Sequence, residues 1–358
     1  MTTTKSWWSE ENLKQRLSML NGRGAAVRCL RKFFQDEGFV EVDTPALQIS
    51  PGMDRHIRPF STQLTEPFAS ESQQRYLRTS PEFAMKKLLA GGQNASLSKI
   101  MQLCRVWRDG ERSPLHHPEF TMLEWYRSDA DYGSLIADCE RVLQAVSNGV
   151  AQALKSDGML HWQGNTCDPN KPIQRVTVKD MFVRHAQIDL FETIDDFSVP
   201  NPSPEKLKSE AQSRGLHVGE NDSWEDIFFR IMIERIEPKL GMGAATVLCE
   251  YPSNLASLAR RTSDDGRFAE RFELYACGVE LANAYSELTD PAEQRIRFDH
   301  DRTLHEKLSG NAPPIDEELL CALSFLPPCA GAALGFDRLV MLATGAKDIT
   351  EVIWSPVP

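Results

Sequence analysis

The sequence predicts an α+β fold in which a largely antiparallel sheet is flanked by helices. Residues 99–108 and 119–127 have strand-like patterns on either side of a polar loop, as the two strands of an antiparallel pair do. Apolar residues recur at helical spacing elsewhere, most clearly between Trp224 and Leu240. Hairpins flanked by helices indicate the α+β class, and we expect one domain over residues 1–358.

Composition favours a soluble globular enzyme. The chain has 358 residues, 41% hydrophobic and 25% charged, and no run near the roughly 20 apolar residues that cross a bilayer. The N-terminus has no apolar segment typical of a signal peptide, and we expect residues 1–12 to be flexible. Eight scattered cysteines without a CxxC pair favour free thiols in the cytoplasm over disulfides or zinc.

A first helix is predicted from Leu13 to Phe34, and Gly38 is suited to ending it. The net charge of −11 argues against a protein that holds nucleic acid mainly through its phosphates. A local basic patch on this helix remains an alternative, but we favour a solvated helix face for its basic residues, which are Arg23, Arg28, Arg31 and Lys32.

The rest of the chain alternates between predicted strands and helices. After a short strand and a turn at Pro45, we expect a polar loop to about residue 75, and then a helix with Ser80 as N-cap and Pro81 in its first turn. Residues 195–222 are proline-rich and polar, which predicts a surface excursion with one short helix. Further helices are predicted at 132–155, 291–309 and 315–325, and further strands at TVLCEYP, RFELYA, VELANAYSEL and CAGAALG.

One face of the first hairpin combines polar and aromatic groups. Residues of one parity share a strand face, so Arg108 would lie on the same wall as Phe120 and Glu124. The loop between the strands adds Glu111 and His116, which would reach a base edge or a polyphosphate. Taken alone, an Arg–Glu pair on a hairpin is more often a surface salt bridge.

A second wall is predicted from VELANAYSEL, where Asn283, Tyr285 and Glu287 share one face. Glu273 and Glu280 stand at opposite ends of the same hairpin and suit Mg²⁺, which often takes one or two carboxylates together with nucleotide phosphates. Since Glu280 and Asn283 differ by three positions, both reach the cleft only if a bulge or twist separates them.

Small residues end the last strand before a helix, with Arg338 in the first turn of that helix. Small side chains allow a ligand to lie against the backbone, and a guanidinium can stack on an aromatic base while contacting a phosphate. The sequence has neither a P-loop nor a GxGxxG motif to explain a nucleotide site.

These motifs together resemble the class II aminoacyl-tRNA synthetases. GFVEVDTPAL resembles motif 1, the segment from Arg108 to Phe120 resembles motif 2, and GAALGFDRL resembles motif 3. TSPEFAMKKLL, HHPEFTMLEWY and ELANAYSELTD are similar to the lysyl-specific subgroup. The resemblance runs from about residue 15 to the last residue. It implies a class II synthetase-like antiparallel sheet, ATP and Mg²⁺ as cofactors, and a homodimer formed through motif 1.

The resemblance also implies roles for individual residues, with Arg108 and Arg338 as the catalytic pair that neutralises phosphate charge. The implied ATP-binding residues are Arg108, Asp109, Glu111, His116, Phe120, Glu273, Glu280, Gly335 and Arg338, with Glu273 and Glu280 holding Mg²⁺. The implied residues for a lysine-like substrate are Ser80, Glu82, Arg108, Glu124, Tyr126, Asn283, Tyr285, Glu287 and Ala333.

The chain departs from tRNA-charging lysyl enzymes at several positions. Gly110 stands where motif 2 usually has Glu, Tyr285 where Phe is usual, and Ala333 where Gly is usual. The motif 1 helix begins almost at once, which leaves no room for an anticodon-binding barrel. The chain is in this respect similar to the bacterial elongation factor P–(R)-β-lysine ligases, which implies (R)-β-lysine or lysine as substrate and elongation factor P as acceptor.

Two alternatives stay open at this point. One is a minimal enzyme that aminoacylates a tRNA acceptor end or a modified base, which the negative net charge disfavours. The other is a non-catalytic paralogue that serves as a binding module, which would be expected to lose Arg108, Arg338 or the paired acids.

Overall fold

The computed structural model describes residues 6–358 except 55, 69, 93–96, 198–199 and 311. In chain order its strands are β1 (Val40–Glu41), β2 (Leu47–Gln48), β3 (Ser61–Leu64), β4 (Gln73–Leu77), β5 (Lys99–Trp107), β6 (Glu119–Ser128), β7 (Leu160–Trp162), β8 (Asn165–Asp168), β9 (Gln174–Thr177), β10 (Gly243–Ala244), β11 (Thr246–Pro252), β12 (Phe268–Ala276), β13 (Val279–Ser286) and β14 (Cys329–Gly335). Its α-helices are α1 (Glu10–Asp36), α2 (Glu82–Gly91), α3 (Tyr132–Leu154), α4 (Val178–Met181), α5 (Glu205–Ser213), α6 (Trp224–Ile231), α7 (Pro291–Ser309), α8 (Glu317–Leu323) and α9 (Phe336–Thr344).

The centre of the molecule is an eight-stranded sheet in the order β1-β5-β6-β14-β13-β12-β11-β9. The inner strands pair antiparallel, which confirms the predicted α+β class and the predicted hairpin of β5 with β6. The sheet is mixed rather than wholly antiparallel, because β1 pairs with β5 and β9 with β11 in parallel. Such parallel edges are common on large sheets.

One face of the sheet packs against α1, α3 and α9 and forms the main hydrophobic core. Strand residues of one parity supply this face, including Leu123, Trp125, Leu274, Ala284 and Leu334, and all of them are buried. The alternation along each strand therefore places the residues of the other parity, among them the predicted polar ones, on the opposite face.

Two smaller clusters cover the two ends of that opposite face. Described helices and loops between residues 178 and 240, which exclude 198–199, pack on Leu248 of β11 and Tyr275 of β12. Helices α2, α7 and α8 belong to the cluster around Ile100 of β5 and Tyr126 of β6. The middle of the face, between the two clusters, remains open as the floor of a cleft.

Local sequence signals account for most helix ends. Ser9 caps α1 by accepting from the backbone N–H of Asn12, and Gly38 follows the helix with a φ of +77°, a conformation that favours glycine. Asp290 caps α7, and Pro291 occupies its first position. The predicted helix between Trp224 and Leu240 is confirmed in extent, but α6 passes into a π-turn and then a 3₁₀ turn that contains Pro238.

The predicted polar loop before residue 75 was wrong. Strands β2, β3 and β4 form a separate three-stranded sheet over this stretch. Its strands are short and their residues largely polar, with Tyr76 the buried exception, so the sequence carries little apolar alternation to reveal them.

The start of α2 also differs from the prediction. Pro81, rather than Ser80, occupies the N-cap position, and it has no side-chain capping bond. The Ser80 hydroxyl still accepts from the backbone N–H of Glu82 at 3.0 Å. The predicted helix is confirmed, displaced by one residue.

The stretch 195–222 contains the predicted short helix, which is α5. Its apolar residues Leu207, Ala211 and Leu216 are buried in the second cluster, so the described part of this stretch is packed more closely than a surface excursion. The expected flexibility of residues 1–12 falls partly outside the described residues, which begin at Ser6, and the helix already starts at Glu10. Among described residues, no helix is both long and apolar enough to cross a membrane.

Arg23 was interpreted as part of a solvated helix face, and that interpretation was wrong for this residue. Its side chain is buried and forms an ion pair with Asp337 of α9. The same guanidinium donates to Thr121 Oγ1 at 2.7 Å and to the carbonyl oxygen of Val352 at 3.2 Å. Asp337 in turn accepts from the backbone N–H of Thr121 at 2.8 Å. The pair therefore connects α1, β6 and α9 behind the cleft floor.

We predict that Arg23→Met lowers the free energy of unfolding by about 3–5 kcal/mol, because it leaves the carboxylate of Asp337 buried without its cation. Urea denaturation followed by circular dichroism measures the change. Arg28→Met is the matched control, since Arg28 is exposed on the same helix, and it should change the value by less than about 0.5 kcal/mol. A loss of similar size in both variants would contradict the assignment.

Candidate active site

The cleft floor consists of two rows of side chains that run across neighbouring strands in register. Arg271, Tyr285, Gly331 and Tyr126 stand opposite one another from β12 to β6. The next row contains Glu273, Asn283, Ala333 and Glu124 in the same order. The predicted faces of β6 and β13 are therefore correct, and the sheet joins them through the small residues of β14.

Two cavities open onto this floor. The first, of about 300 Å³, is lined by acids and aromatic residues that include Glu82, Glu124, Tyr126, Tyr285 and Glu287. The second, of about 860 Å³, is lined by His116, Phe120, Glu273, Glu280 and Arg338. Both volumes are of the size that small-molecule sites commonly have.

The two cavities share a wall, to which Arg108, Arg271, Asn283 and Ala333 contribute. A ligand in one cavity is therefore next to a ligand in the other. The wall contains two guanidinium groups, so it suits anionic groups that lie between the two ends.

Arg108 and Phe120 lie at the start of the larger cavity. The Arg108 guanidinium carbon is 5.3 Å from the centre of the Phe120 ring, and Arg108 Nε donates to the carbonyl oxygen of Thr79 at 3.4 Å. Its Nη1 atom is 3.7 Å from Glu111 Oε1. The guanidinium thus keeps donors for a ligand in the cleft, and the neighbouring aromatic ring of Phe120 is suited to stacking on a nucleobase.

Arg338 reaches the same cavity from the first turn of α9. It donates to the carbonyl oxygen of Glu280 at 2.8 Å and to His116 Nε2 at 2.7 Å. A guanidinium has only donors, so Nε2 of His116 accepts and Nδ1 carries the proton, which it donates to Ser113 Oγ at 2.7 Å. Burial and the positive charge of Arg338 hold the pKa of His116 below its usual value, which is consistent with a neutral ring.

Glu273 and Glu280 both face the larger cavity, as the sequence predicted. The required bulge is present, because the pairing of β12 with β13 shifts between Leu274 and Tyr275. Glu273 accepts from Arg271 at 2.8 Å and from the Tyr275 hydroxyl at 2.6 Å. Desolvation in the cleft and the nearby charge of Glu273 raise the pKa of Glu280. Carboxylate oxygens that repel one another beside a cavity fit a hard divalent cation.

Glu124 is the buried acid at the centre of the smaller cavity. It accepts from the Ser80 hydroxyl at 2.7 Å and from the Tyr126 hydroxyl at 2.6 Å. Burial first, and then repulsion from Glu82, raise its pKa to about 7.

Glu82 and Glu287 complete the acidic wall and share one cation of the chain itself. Lys86 Nζ is 2.6 Å from Glu82 Oε1 and 2.5 Å from Glu287 Oε2. The Tyr285 hydroxyl donates to Glu82 at 2.7 Å. Burial raises the pKa of Glu287 to about 8 even with Lys86 adjacent.

Gly331 leaves the space that this pocket occupies. A Cβ atom there would overlap the ring of Tyr126 and lie 2.7 Å from Glu287 Oε1, closer than real Cβ atoms approach. Ala333, one row further along, lines both cavities with its methyl group. The two residues of β14 thus set the depth of the floor at each end.

The structure also brings in residues that the sequence did not single out. Arg271 crosses the shared wall and donates to Asn283 Oδ1 at 3.2 Å as well as to Glu273. Glu237 lines the larger cavity, and desolvation followed by the charges of Glu280 and Glu273 raise its pKa to about 7. Arg271 shares a strand face with Glu273, so its place in the cleft could have been predicted from the alternation along the strand. Lys86 and Glu237 lie on helices, and only packing defines how those helices are oriented.

Asp109 does not join the site. It lies outside the residues that line either cavity and pairs with Arg58 at 2.5 Å on the surface. The structure therefore gives no support to the expected role of Asp109 in ATP binding. The remaining predicted residues line one cavity or both, and they are Ser80, Glu82, Arg108, Glu111, His116, Phe120, Glu124, Tyr126, Glu273, Glu280, Asn283, Tyr285, Glu287, Ala333, Gly335 and Arg338.

The chain is similar to known proteins along nearly its whole length. The family model described as tRNA synthetases class II (D, K and N) matches residues 6–357. A protein of Histophilus somni named elongation factor P–(R)-β-lysine ligase is 36% identical over 355 residues, which cover 99% of this chain and 98% of the relative. Proteins of the same name from Proteus mirabilis and Pectobacterium carotovorum are 37% and 36% identical and cover 92% and 99% of this chain.

The raised pKa values of Glu124 and Glu287 predict that binding of a ligand with ammonium groups, for which lysine is the probe, displaces protons. A carboxyl group with a raised pKa holds its proton at lower pH, and only the ionised form attracts an ammonium group. Affinity for lysine should therefore rise from pH 6 to pH 8, by up to about tenfold per pH unit for each proton displaced.

Calorimetric titrations in two buffers of different ionisation enthalpy count the protons released. Glu124→Gln removes one titrating group and should reduce both the proton count and the slope with pH. An affinity that stays constant between pH 6 and pH 8 would show that the pocket acids are already ionised.

Proposed function

Because the chain belongs to the class II tRNA synthetase family (D, K and N), we propose that it is an ATP-dependent ligase that joins (R)-β-lysine or lysine to elongation factor P. The relatives that carry this name match nearly the whole chain, and the matches also span nearly the whole of the relatives. The proposal assigns the smaller cavity to the diamino acid and the larger one to ATP.

The observation that carries the proposal is the position of an acidic pocket directly beside a nucleotide-sized cavity, with Arg108 in the shared wall. Acids at the closed end attract the ammonium groups of a diamino acid. Its carboxylate then points toward Arg108 and the α-phosphate of ATP. Proximity and charge neutralisation are the main contributions an enzyme makes to such a displacement.

The reaction has two steps. A carboxylate oxygen of the amino acid attacks the α-phosphorus of ATP, a P–O bond to the β-phosphate breaks, and pyrophosphate leaves. The ε-amine of the acceptor lysine then attacks the carbonyl carbon of the adenylate, the C–O bond to AMP breaks, and the amine loses a proton as the amide forms. No covalent intermediate with the protein is needed.

The residues around the larger cavity suit the nucleotide. Phe120 and Arg338 would hold the adenine between an aromatic ring and a guanidinium plane. His116, neutral and fixed by Arg338 and Ser113, would donate to the outer phosphates only after its contact with Arg338 rearranges and Nε2 gains a proton. Arg108 would neutralise the charge that develops at the α-phosphate.

Glu273 and Glu280 would hold Mg²⁺, and Glu237 would be a further acid close to both. A bound Mg²⁺ neutralises phosphate charge and orients the leaving pyrophosphate. The role of the protein is to keep Glu273 in position, which Arg271 and Tyr275 do through their hydrogen bonds.

The acceptor is proposed from the names of the relatives and from charge. A net charge of −11 disfavours an enzyme that holds tRNA by its phosphates. We further propose action in the cytoplasm, since all eight cysteines are free thiols. The methyl group of Ala333 next to the substrate backbone supports a preference for a β-amino acid, because a small steric change shifts which amino position fits.

A homodimer is proposed through the segment that resembles motif 1. Strand β1 is an edge of the large sheet, and the apolar side chains of Val40, Leu47 and Ile49 around it are exposed. Exposed apolar groups beside an open strand edge are typical of an interface.

The transfer test incubates the protein with ATP, Mg²⁺, one lysine isomer and either purified elongation factor P or bulk tRNA, and weighs the products by mass spectrometry. We expect one lysyl addition on elongation factor P and none on tRNA. Glu287→Gln should lower lysine-dependent ATP–pyrophosphate exchange at least about a hundredfold, because the lost charge is fully buried.

Glu306→Gln is the matched control, since Glu306 is exposed on α7, and it should react as the wild type does. ATP binding by Glu287→Gln should remain, since Glu287 lines only the smaller cavity. Transfer to tRNA without transfer to the protein acceptor would refute the ligase proposal.

The dimer is tested by sedimentation velocity at micromolar concentration. We expect the wild type to sediment with twice the mass of one chain. Ile49→Asp should sediment with the mass of one chain, because the substitution would bury a charge in the interface. Ile296→Asp is the control, since Ile296 is exposed on α7, away from this segment. A wild type that sediments as a monomer would refute the interface.

A further inference from the structure

Lys86 is the buried cation behind the acidic pocket. It lies one turn after Glu82 on α2, and its side chain is 2% exposed. Its ammonium contacts Glu82 and Glu287 at 2.6 and 2.5 Å, and it is 5.6 Å from the centre of the Tyr285 ring. Among the described residues that line the cavity, Lys86 is absent, so its charge acts on the acids from behind.

The charges at the closed end of the pocket leave a deficit of two once its acids are ionised. Glu82, Glu124 and Glu287 lie there, and Lys86 offsets one of these three acids. The arginines that also line this cavity are paired with other acids, Arg108 with Glu111, Arg271 with Glu273, and Arg261 and Arg297 with Glu293. Two negative charges are then left for a ligand, and a diamino acid brings two ammonium groups.

We propose that Lys86 is a specificity-determining positioning residue, the internal counter-ion that fixes the number of ammonium groups the pocket accepts at two. The inference rests on the proposed function, because it takes the ligand of the smaller cavity to be a diamino acid. It goes beyond that function by assigning the choice of ligand charge to a residue that does not touch the ligand.

The physical reason is that three carboxylates crowded together cannot all stay ionised. The groups that face Glu287 and its neighbours are Glu82, Glu124, Tyr126, Tyr285 and Cys329, and none of these is a cation. Arg260, which acts on Cys329, is paired with Glu270 at 2.8 Å. Without Lys86 the acids would hold their protons to higher pH and release them less readily to a ligand. With Lys86 in place the pKa values of Glu124 and Glu287 are about 7 and about 8, so a ligand with ammonium groups can displace these protons near neutral pH.

Lys86 also holds two acids from different elements in one place. Glu82 belongs to α2, and Glu287 follows β13, so the shared ammonium fixes the distance between the helix and the sheet at the closed end of the pocket. Burial opposes its charged form, but the two carboxylates outweigh burial and raise the pKa of Lys86 above its usual value. The cation is therefore permanent over the working range of pH.

The test compares Lys86→Met with Lys86→Arg, using lysine-dependent ATP–pyrophosphate exchange between pH 6.5 and pH 9. For Lys86→Met we expect the KM for lysine to rise at least about tenfold at pH 7, and the midpoint of its pH dependence to move up by about one unit. The KM for ATP should stay within about twofold, since the change lies at the other end of the floor. Lys86→Arg keeps the charge and should keep the midpoint within about 0.3 unit of the wild type.

Lys87→Met is the matched control. Lys87 is the next residue of the same helix and pairs with Asp316 at 2.8 Å, away from the cleft. It should leave the KM for lysine and the pH midpoint unchanged. If Lys86 only stabilised the helix, Lys86→Met and Lys87→Met would have similar effects, and neither would move the pH midpoint.

A folded Lys86→Met protein with the wild-type KM and pH midpoint would overturn the proposal. If Lys86→Met does not melt cooperatively, Lys86→Arg decides: a midpoint moved by a full unit overturns the proposal, and a retained midpoint supports it. A wild type without exchange for any lysine isomer would instead refute the proposed function, so the two failures are distinguishable.

Discussion

Strands held in register, each with side chains that alternate between two faces, are the constraint on which the cleft depends. From β12 to β6 the same parity faces the open side, so Arg271, Tyr285, Gly331 and Tyr126 form one row and Glu273, Asn283, Ala333 and Glu124 the next. A slip of one residue in any strand would exchange the charged row for the apolar face that packs on α1, α3 and α9. The buried apolar face therefore holds the charged face in place.

The second feature of the cleft is that its charges are balanced in pairs but not completely. Arg271 is paired with Glu273 at one end, and Lys86 with Glu82 and Glu287 at the other. Each pairing makes it possible to bury a carboxylate, since an unpaired buried charge is costly. Glu124 at one end and Glu280 at the other lie outside these pairs and have raised pKa values, which is typical of functional sites. The shared wall with Arg108 lies between these two acidic ends and suits the anionic groups of both ligands.

The sequence predicted the structure best where the alternation of side chains along a strand and the residue types of the site point to the same strand face. The hairpin of β5 and β6 was predicted from strand-like patterns and the face of β13 from parity. Parity also required a bulge or a twist between Glu280 and Asn283, and the structure has the bulge. Prediction from the sequence failed where a residue's environment depends on a distant element. Arg23 looks like one of several basic residues on an exposed helix, and only the approach of Asp337, 314 positions later, makes it a buried ion pair. The small sheet of β2 to β4 was missed because its strands are short and largely polar.

The sequence by itself determined the strand faces, the helix boundaries near their caps, the motifs that resemble class II synthetases, and sixteen of the residues that line the cleft. These depend on short-range periodicity and on residue types, which are visible along the chain. The tertiary structure alone decided that Asp109 turns outward to Arg58, that Glu237 enters the larger cavity, and that Lys86 lies behind the acids rather than in solvent. Each of these outcomes depends on how a helix or loop is oriented against the sheet, and that orientation is fixed by packing between residues far apart in sequence.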